Sequence, residues 1–535
     1  MIRDDLASAV RHALAELGVD PLPERVDLER PARPEHGDWS TNVALVSAKR
    51  AGRNPRELAA ALVEHLGAHL PPHVERMELA GPGFVNFHLA PTWLHDVLHE
   101  VVVEGEHGFA RPDLGGGQTV IIEFVSANPT GPVHAGHARG AAYGDSVARL
   151  LSRTNHAVTR EFYINDRGVQ MEHFGASLAA RKAGEEPPAD GYVGQYVIDW
   201  AADMPEGVDP VVWGEDRALA DQREVLGAFG VHFDVWYREM ALVEAGTIEV
   251  TLEELRGTGH VYDDDGATWL RSTDFGDDKD RVLVKSDGEL TYLTPDIAYH
   301  RDKFSRADRL INVWGADHHG YVVRMKAAMQ ALGHDPDQLE VAIVQLVDLL
   351  KDGEPVRISK RSGNLVELRD VISEVGADAA RLTYLLQSID SRQTVDLALV
   401  ASQGMDNPVF YVQMAHARIH GIARKAAEAG LVRDPLGDAT VLALLTHERE
   451  LDVLRALSEL PDVVRLAATD RAPHRVTTWV RELAGAFHGF YHDCYVMGEG
   501  IDPATSQARL WLVEGARVGL AIGLDLLGVS APESL

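Results

Sequence analysis

The chain has 535 residues, 45% of them hydrophobic and 25% charged, with a formal net charge of −31 and a single cysteine, Cys494. Such a length suggests about two to four domains, each able to bury its own core, and the composition excludes collagen, coiled-coil and disordered classes. One cysteine rules out an internal disulfide and a thiolate zinc cage. The stretch Met1 to Asp20, with Asp4 and Asp5 near its start, lacks the pattern of a signal peptide, and no run is apolar enough to span a bilayer. A soluble, cytoplasmic protein is expected. The acid surplus argues against non-specific binding to a polyanion, which needs a local basic patch, but does not forbid a shaped nucleic-acid site.

Three regions follow one another. In the first, residues 1–112, Leu6, Val10, Ala13, Leu14 and Leu17 recur at helical spacing, as do Leu58, Ala61, Leu62 and Leu66. Phe84 to Leu89 alternates with period two and predicts a strand, so this is a small α+β domain. Gly115-Gly116-Gly117 lies in the loop that bounds it. The second region, 113–387, opens with Thr119 to Phe124, a near-continuous apolar strand of the kind buried in a parallel sheet. Helix and strand signals then alternate, which predicts a doubly wound α/β fold. An acidic, Gly- and Pro-containing stretch at about 189–287, with β-rich pieces at Ala267–Leu270 and Val282–Lys285, reads as an insertion in it. The third region, 388–535, is all-helical: Asn407-Pro408 has the form of a cap with Pro in the first turn, and a late helix through Leu510, Val513, Arg517, Leu520 and Leu524 stops at Gly528.

Chemistry concentrates in two places. Directly after the buried strand comes Ser126 to His137 (SANPTGPVHAGH), followed by a small-residue helix from Ala138 to Leu151. The turn therefore opens at the carboxyl edge of the sheet, where doubly wound folds bind ligands, and the helix N-terminus offers N–H groups and positive potential to phosphates. His134 and His137 are three apart and share a face, while Gly136 removes a side chain between them and lets a flat base approach. An HxxH pair can also ligate a metal, with His318-His319 completing a set, although no HExxH pattern accompanies it; and either histidine alone can be a satisfied buried residue. Neither a P-loop nor a GxGxxG fingerprint is present. The second place is Arg357 to Asn364 (RISKRSGN), a short basic loop in an acidic chain, where Lys360 offers a mobile charge to phosphate; by itself it is equally a solvated surface loop.

In order and wide separation, the two motifs resemble the HIGH and KMSKS signatures of class I aminoacyl-tRNA synthetases, with Arg357 and Ile358 in place of the first Lys and Met of the second. Phe124 to Gly140 looks like the arginyl-tRNA synthetase form of HIGH. Arg160 to Asp166, Tyr292 to Asp296, Gly315 to Gly320, Asn407 to Ile419 and Gly523 to Val529 are similar to the same family, as are His36 to Asn42 and Gly81 to Asn86. The resemblance covers nearly the whole chain.

It implies an arginine–tRNA ligase that forms arginyl-adenylate from ATP and passes the arginine to the terminal adenosine of tRNA. His134, His137 and Lys360 would be catalytic. ATP would be held by these with Gly136 and Ser359, and its Mg2+ would enter bound to it, with no protein metal site. Asn128 would hold the amino and carboxylate end of arginine, Asp296 the guanidinium and Tyr292 its stem, with His318 in the same pocket. Asp296 and Tyr292, four apart, share a face if their segment is helical; without the family pattern Asp296 reads as a surface acid. The first region would meet the tRNA elbow and the third the anticodon, where Tyr411 stacks bases and Arg418 meets phosphates; Phe410 is as readily a core residue. A monomer is expected. The competing readings are another class I synthetase, a tRNA-binding paralogue without catalysis, and a metal hydrolase using the histidines.

Overall fold

The computed structural model describes residues 2–31, 33–351, 353–355, 366–402, 404–435 and 438–535. They form two compact units: residues 1–109, 419–459 and 485–519 make one, and residues 110–418, 460–484 and 520–535 the other.

The first unit starts with the helix Ile2–Glu16, which buries Leu6, Val10, Ala13 and Leu14 from the predicted stripe. The strands β1 (Trp39–Thr41), β2 (Val74–Ala80) and β3 (Phe84–Leu89) form an antiparallel sheet in the order β1-β3-β2. The helix Pro55–Ala68, capped by Asn54 with Pro in its first turn, packs on that sheet through Leu58, Leu62 and Leu66.

The second unit is built on β4 (Thr119–Glu123), β5 (Ala157–Ile164), β6 (Val235–Arg238), β7 (Val261–Asp264), β8 (Ala267–Leu270), β9 (Arg281–Val284), β10 (Arg309–Gly315), β11 (Leu339–Val344), β12 (Val347–Lys351), β13 (Glu354–Pro355) and β14 (Gln393–Asp396). Its main sheet has the order β11-β10-β4-β5-β6, and every neighbouring pair is parallel. The chain runs outward from β4 to β6, then returns to β10 beside β4 and runs outward again. Strand order therefore reverses between β4 and β10, and ligands of such sheets bind in the crevice at that switch point. Val120, Ile121 and Ile122 at its centre are almost fully buried, as the apolar run predicts.

One feature departs from the sequence reading. Val235–Arg238 lies inside the 189–287 stretch, yet it is the edge strand of the main sheet; a half-buried four-residue edge carries too little pattern to be seen. The remainder of that stretch supplies the helices Gln195–Asp203 and Pro210–Ala228 and the antiparallel sheet β7-β8-β9.

From Pro408 onward the described chain is helical, with long helices at Pro408–Glu428, Glu448–Thr469, His474–Asp493 and Pro503–Leu527. Asn407 caps the first of them, its Oδ1 accepting from the Val409 N–H at 3.0 Å. Among the described residues no helix is long and apolar enough to cross a membrane.

Candidate active site at the switch point of the parallel sheet

The carboxyl end of β4 leads into two successive left-handed residues, Val125 (φ 70°) and Ser126 (φ 42°). Conformations of that kind cost about 1–3 kcal/mol each and persist where the surroundings impose them. Here the Ser126 hydroxyl donates to Glu123 Oε1 at 3.0 Å and accepts from the Tyr163 N–H at 3.2 Å, which ties the turn to β4 and β5. Asn128 emerges exposed, its amide donating to Gln170 Oε1 at 2.8 Å.

His134 then starts the single 3-10 turn Ala135–His137 that leads into the helix Ala138–Arg153. Its Nδ1 accepts from the Gly136 N–H at 3.1 Å, an arrangement that requires the Nε2–H tautomer in the neutral ring. The imidazoles of His134 and His137 lie against each other, with centroids 3.8 Å apart. Gly136 is exposed, and a Cβ there would stand 2.9 Å from the His134 ring. A side chain at 136 would therefore displace the ring as well as fill the space above it. Behind the pair, the helix approaches β4 so closely that a Cβ at Gly144 would lie 2.3 Å from the Phe124 ring.

The basic motif, with Arg357, Ser359, Lys360 and Arg361, lies outside the described residues. The chain that leaves it does not. Val366 accepts from the Ala135 N–H at 2.9 Å, and the Leu368 N–H donates to Val133 at 2.8 Å. His134 and Glu367 form an antiparallel bridge between those two bonds. The segment Val366 to Leu368, shortly after the basic motif in sequence, is thus stitched to the histidine turn.

On the other side of the switch point, the helix Leu293–Arg306 carries Asp296. Asp296 Oδ2 accepts from the Tyr321 hydroxyl at 2.6 Å. Burial pushes its carboxyl up to about 7: the Tyr321 bond opposes the rise, the charges of Glu123 and Glu239 add to it, and Lys303 counters them. A carboxylate so placed gains from a cation brought to it. Beneath it runs a closed polar chain. The Asp296 carbonyl accepts from His300 Nδ1 at 2.7 Å, and His300 Nε2 faces the Asn312 amide at 2.6 Å. Lys303, with no solvent exposure, donates to Asn312 Oδ1 at 2.7 Å and to Glu123 Oε2 at 2.6 Å. Burial holds His300 neutral, well below its usual range, in keeping with a single Nδ1 proton. Through Glu123 and Ser126 this chain reaches the turn that presents Asn128, so both sides of the crevice share one set of hydrogen bonds.

The remaining expected residues are placed unequally. Tyr292 precedes the Asp296 helix and is 93% exposed, so it stands in solvent, while Asp296, one turn on, is half-buried. His318, in the 3-10 segment Ala316–Tyr321 after β10, is exposed and tilts over Trp314, whose ring also packs on Tyr321. Tyr411 and Arg418 are half-buried on the helix Pro408–Glu428. Tyr411 lines a separate groove of ≈ 400 Å³ with Met405, Asp406, Pro408, Thr478, Arg481 and Glu482.

Sequence reasoning missed Tyr321, Glu239 and Tyr163. The Tyr163 hydroxyl bonds to Glu239, and that bond holds the Glu239 carboxyl down against a larger rise caused by burial. Tyr321 directly follows the Gly315 to Gly320 motif and Tyr163 lies within the Arg160 to Asp166 motif; Glu239 had no such signal.

Comparisons with known proteins agree along the whole chain. Residues 4–89 match the family description "Arginyl tRNA synthetase N terminal domain", residues 98–188 and 228–419 "tRNA synthetases class I (R), catalytic domain", and residues 412–535 "DALR anticodon binding domain". The chain is 48% identical to the arginine–tRNA ligase of Frankia alni, with 100% of this chain and 99% of that protein covered. It is 46% identical to the arginine–tRNA ligase of Desulforudis audaxviator, over 99% of this chain and 97% of that protein. Thermus thermophilus arginyl-tRNA synthetase shares the fold, with a TM-score of 0.79 at 23% identity and all of both chains covered. The ordered motifs, the parallel sheet with its switch point and these matches together make the chain a member of the class I arginyl-tRNA synthetase family.

Proposed function

We propose that the crevice between β4 and β10 carries out arginine–tRNA ligation, the reaction of this family, with a division of labour set by the residues on either side. Two displacements are needed. The carboxylate of arginine attacks the α-phosphorus of ATP, forming the acyl–phosphate bond as pyrophosphate leaves. A hydroxyl of the terminal tRNA adenosine then attacks the acyl carbon, its proton is lost, and AMP departs. Neither step needs a covalent bond to the enzyme, so catalysis rests on positioning and on charge stabilisation at the phosphates.

On the β4 side, the His134 Nε2–H and His137 face the phosphates, Gly136 leaves room for the adenosine, and Asn128 holds the amino and carboxylate end of arginine. Lys360 and Ser359 approach the phosphates from the basic loop, and Mg2+ enters bound to ATP. On the β10 side, Asp296 pairs with the guanidinium, a planar cation that suits a carboxylate. Tyr292 covers the stem of the bound arginine and His318 borders the pocket. Tyr411 and Arg418 meet the tRNA. The protein acts as a cytoplasmic monomer.

The observation that supports this reading is the Asp296 carboxyl, bonded to Tyr321 and linked through His300, Asn312, Lys303, Glu123 and Ser126 to the turn that leads to the paired imidazoles. ATP–pyrophosphate exchange with each amino acid in turn, with and without tRNA, tests it. Exchange driven by arginine supports it; exchange driven by lysine or glutamine and not by arginine overturns it.

A further inference from the structure

The catalytic-domain match passes from residue 188 to residue 228, leaving the helices Gln195–Asp203 and most of Pro210–Ala228 between its two spans. That segment has its own packing: Val197, Trp200, Ala201 and Ala218 cluster with Phe174 and Leu178 of the helix Val169–Lys182. It also reaches the turn before the histidine pair and the helix that follows the basic motif. Gln222, with no solvent exposure, donates its amide N–H groups to the carbonyls of Asn128 and Gly131, each at 3.0 Å. The Tyr196 hydroxyl donates to the intervening Thr130 carbonyl at 2.9 Å. A Cβ at Gly131 would meet the Tyr196 ring at 3.0 Å, so the contact leaves no slack. One residue from Gln222, the buried Asp221 accepts from Arg369 at 3.0 Å, on the helix that follows the basic motif.

We infer that this segment is a brace for the adenylation site, with Gln222 and Tyr196 as positioning residues that fix the Asn128–Gly131 turn against the helix led by Arg369. The pattern of donors supports a positioning role. Three carbonyls of one turn, those of Asn128, Thr130 and Gly131, receive side-chain hydrogen bonds from elements far along the chain. Gln222 accepts this geometry although its own Oε1 is buried without a hydrogen-bond partner among the described residues, an arrangement that costs stability instead of adding to it. A turn held by three carbonyl anchors keeps Asn128 and the histidine pair in fixed register, and misplacement by about 1 Å at such a site lowers rate by up to about a hundredfold.

The inference rests on the function proposed above, and the test separates the two. Gln222→Met keeps the volume and removes both donors; Tyr196→Phe removes one hydroxyl and keeps the ring. Each variant is compared with the parent chain for arginylation kinetics and thermal unfolding. For Gln222→Met, kcat is expected to fall about tenfold or more, and for Tyr196→Phe by a smaller factor. In both, the KM for arginine stays within about twofold and the melting temperature within a few degrees. Parental kcat in both variants overturns the brace. So does a loss of rate in Gln222→Met that follows a loss of melting temperature while Tyr196→Phe keeps parental kcat. A parent chain that does not arginylate tRNA overturns the function itself, and the brace with it.

Discussion

The carboxylate of Asp296 and the hydroxyl of Tyr321 lie 2.6 Å apart, the phenol donating, on two different elements that flank the switch point of the sheet. The bond steadies a charge that burial and the neighbouring acids Glu123 and Glu239 disfavour.

Asp296 should impose a pH profile on arginine binding. Its carboxyl titrates near 7 in the folded chain, against a usual 3.8, and only the ionised form pairs with a guanidinium. The KM for arginine should therefore rise about tenfold between pH 8 and pH 6, which initial-rate measurements across that range will show. The sign for stability is the reverse of that for a salt-bridged acid. Between 3.8 and about 7 the folded state holds a proton that the unfolded state has lost, so the Asp296 contribution to stability falls as pH rises through that window. Asp296→Asn should melt higher than the parent at pH 8 and close to it at pH 4.

Removing the phenol should move that profile. In Tyr321→Phe the carboxylate loses a hydrogen bond worth about 1.5–3 kcal/mol to its charged form, so the inflection shifts upward by about one pH unit or more. At pH 7.5 the variant then needs more arginine for half-maximal rate. An inflection that stays in place would detach Tyr321 from substrate recognition.

The buried pair of Lys303 and Glu123 should behave as a unit. Lys303→Met leaves Glu123 uncompensated beneath the sheet edge and should cost about 3–5 kcal/mol in denaturant unfolding. Changing both, as Lys303→Met with Glu123→Gln, should recover most of that loss, because no unpaired charge remains.

The imidazole pair should matter to rate and little to folding. His134→Ala and His137→Ala are each expected to lower kcat about 10²–10³-fold, the size seen when one charge-stabilising donor is removed. Lys360→Ala should likewise lower kcat more than arginine affinity. Unchanged turnover in any of the three would take that residue out of the mechanism.

What the letters revealed follows from how local each signal is. Thr119 to Phe124 announced a buried strand because an apolar run has few other uses, and the Asn407-Pro408 cap worked because capping is decided within a few residues. The histidine turn was legible for the same reason: strand, turn and helix are contiguous. Strand order was not, since the return of β10 beside β4 is a choice made by packing across nearly two hundred residues. Val235–Arg238 was lost because a short edge strand is half solvated and shows no clear alternation. Asp296 was singled out through its family motif, but its neighbours Tyr321 and Glu239 come from other segments and only folding brings them near. The Gln222 and Tyr196 bonds to the turn were invisible for a further reason. They end on backbone carbonyls, which carry no sequence identity to be matched.

Steady-state arginylation by Asp296→Asn at saturating ATP and tRNA tests the central claim most directly, because the amide keeps the size of the carboxylate and removes its charge. The expected result is a rise in the KM for arginine of about a hundredfold, with a smaller change in kcat. A variant that keeps the parental KM would contradict the assignment of this carboxylate to the guanidinium.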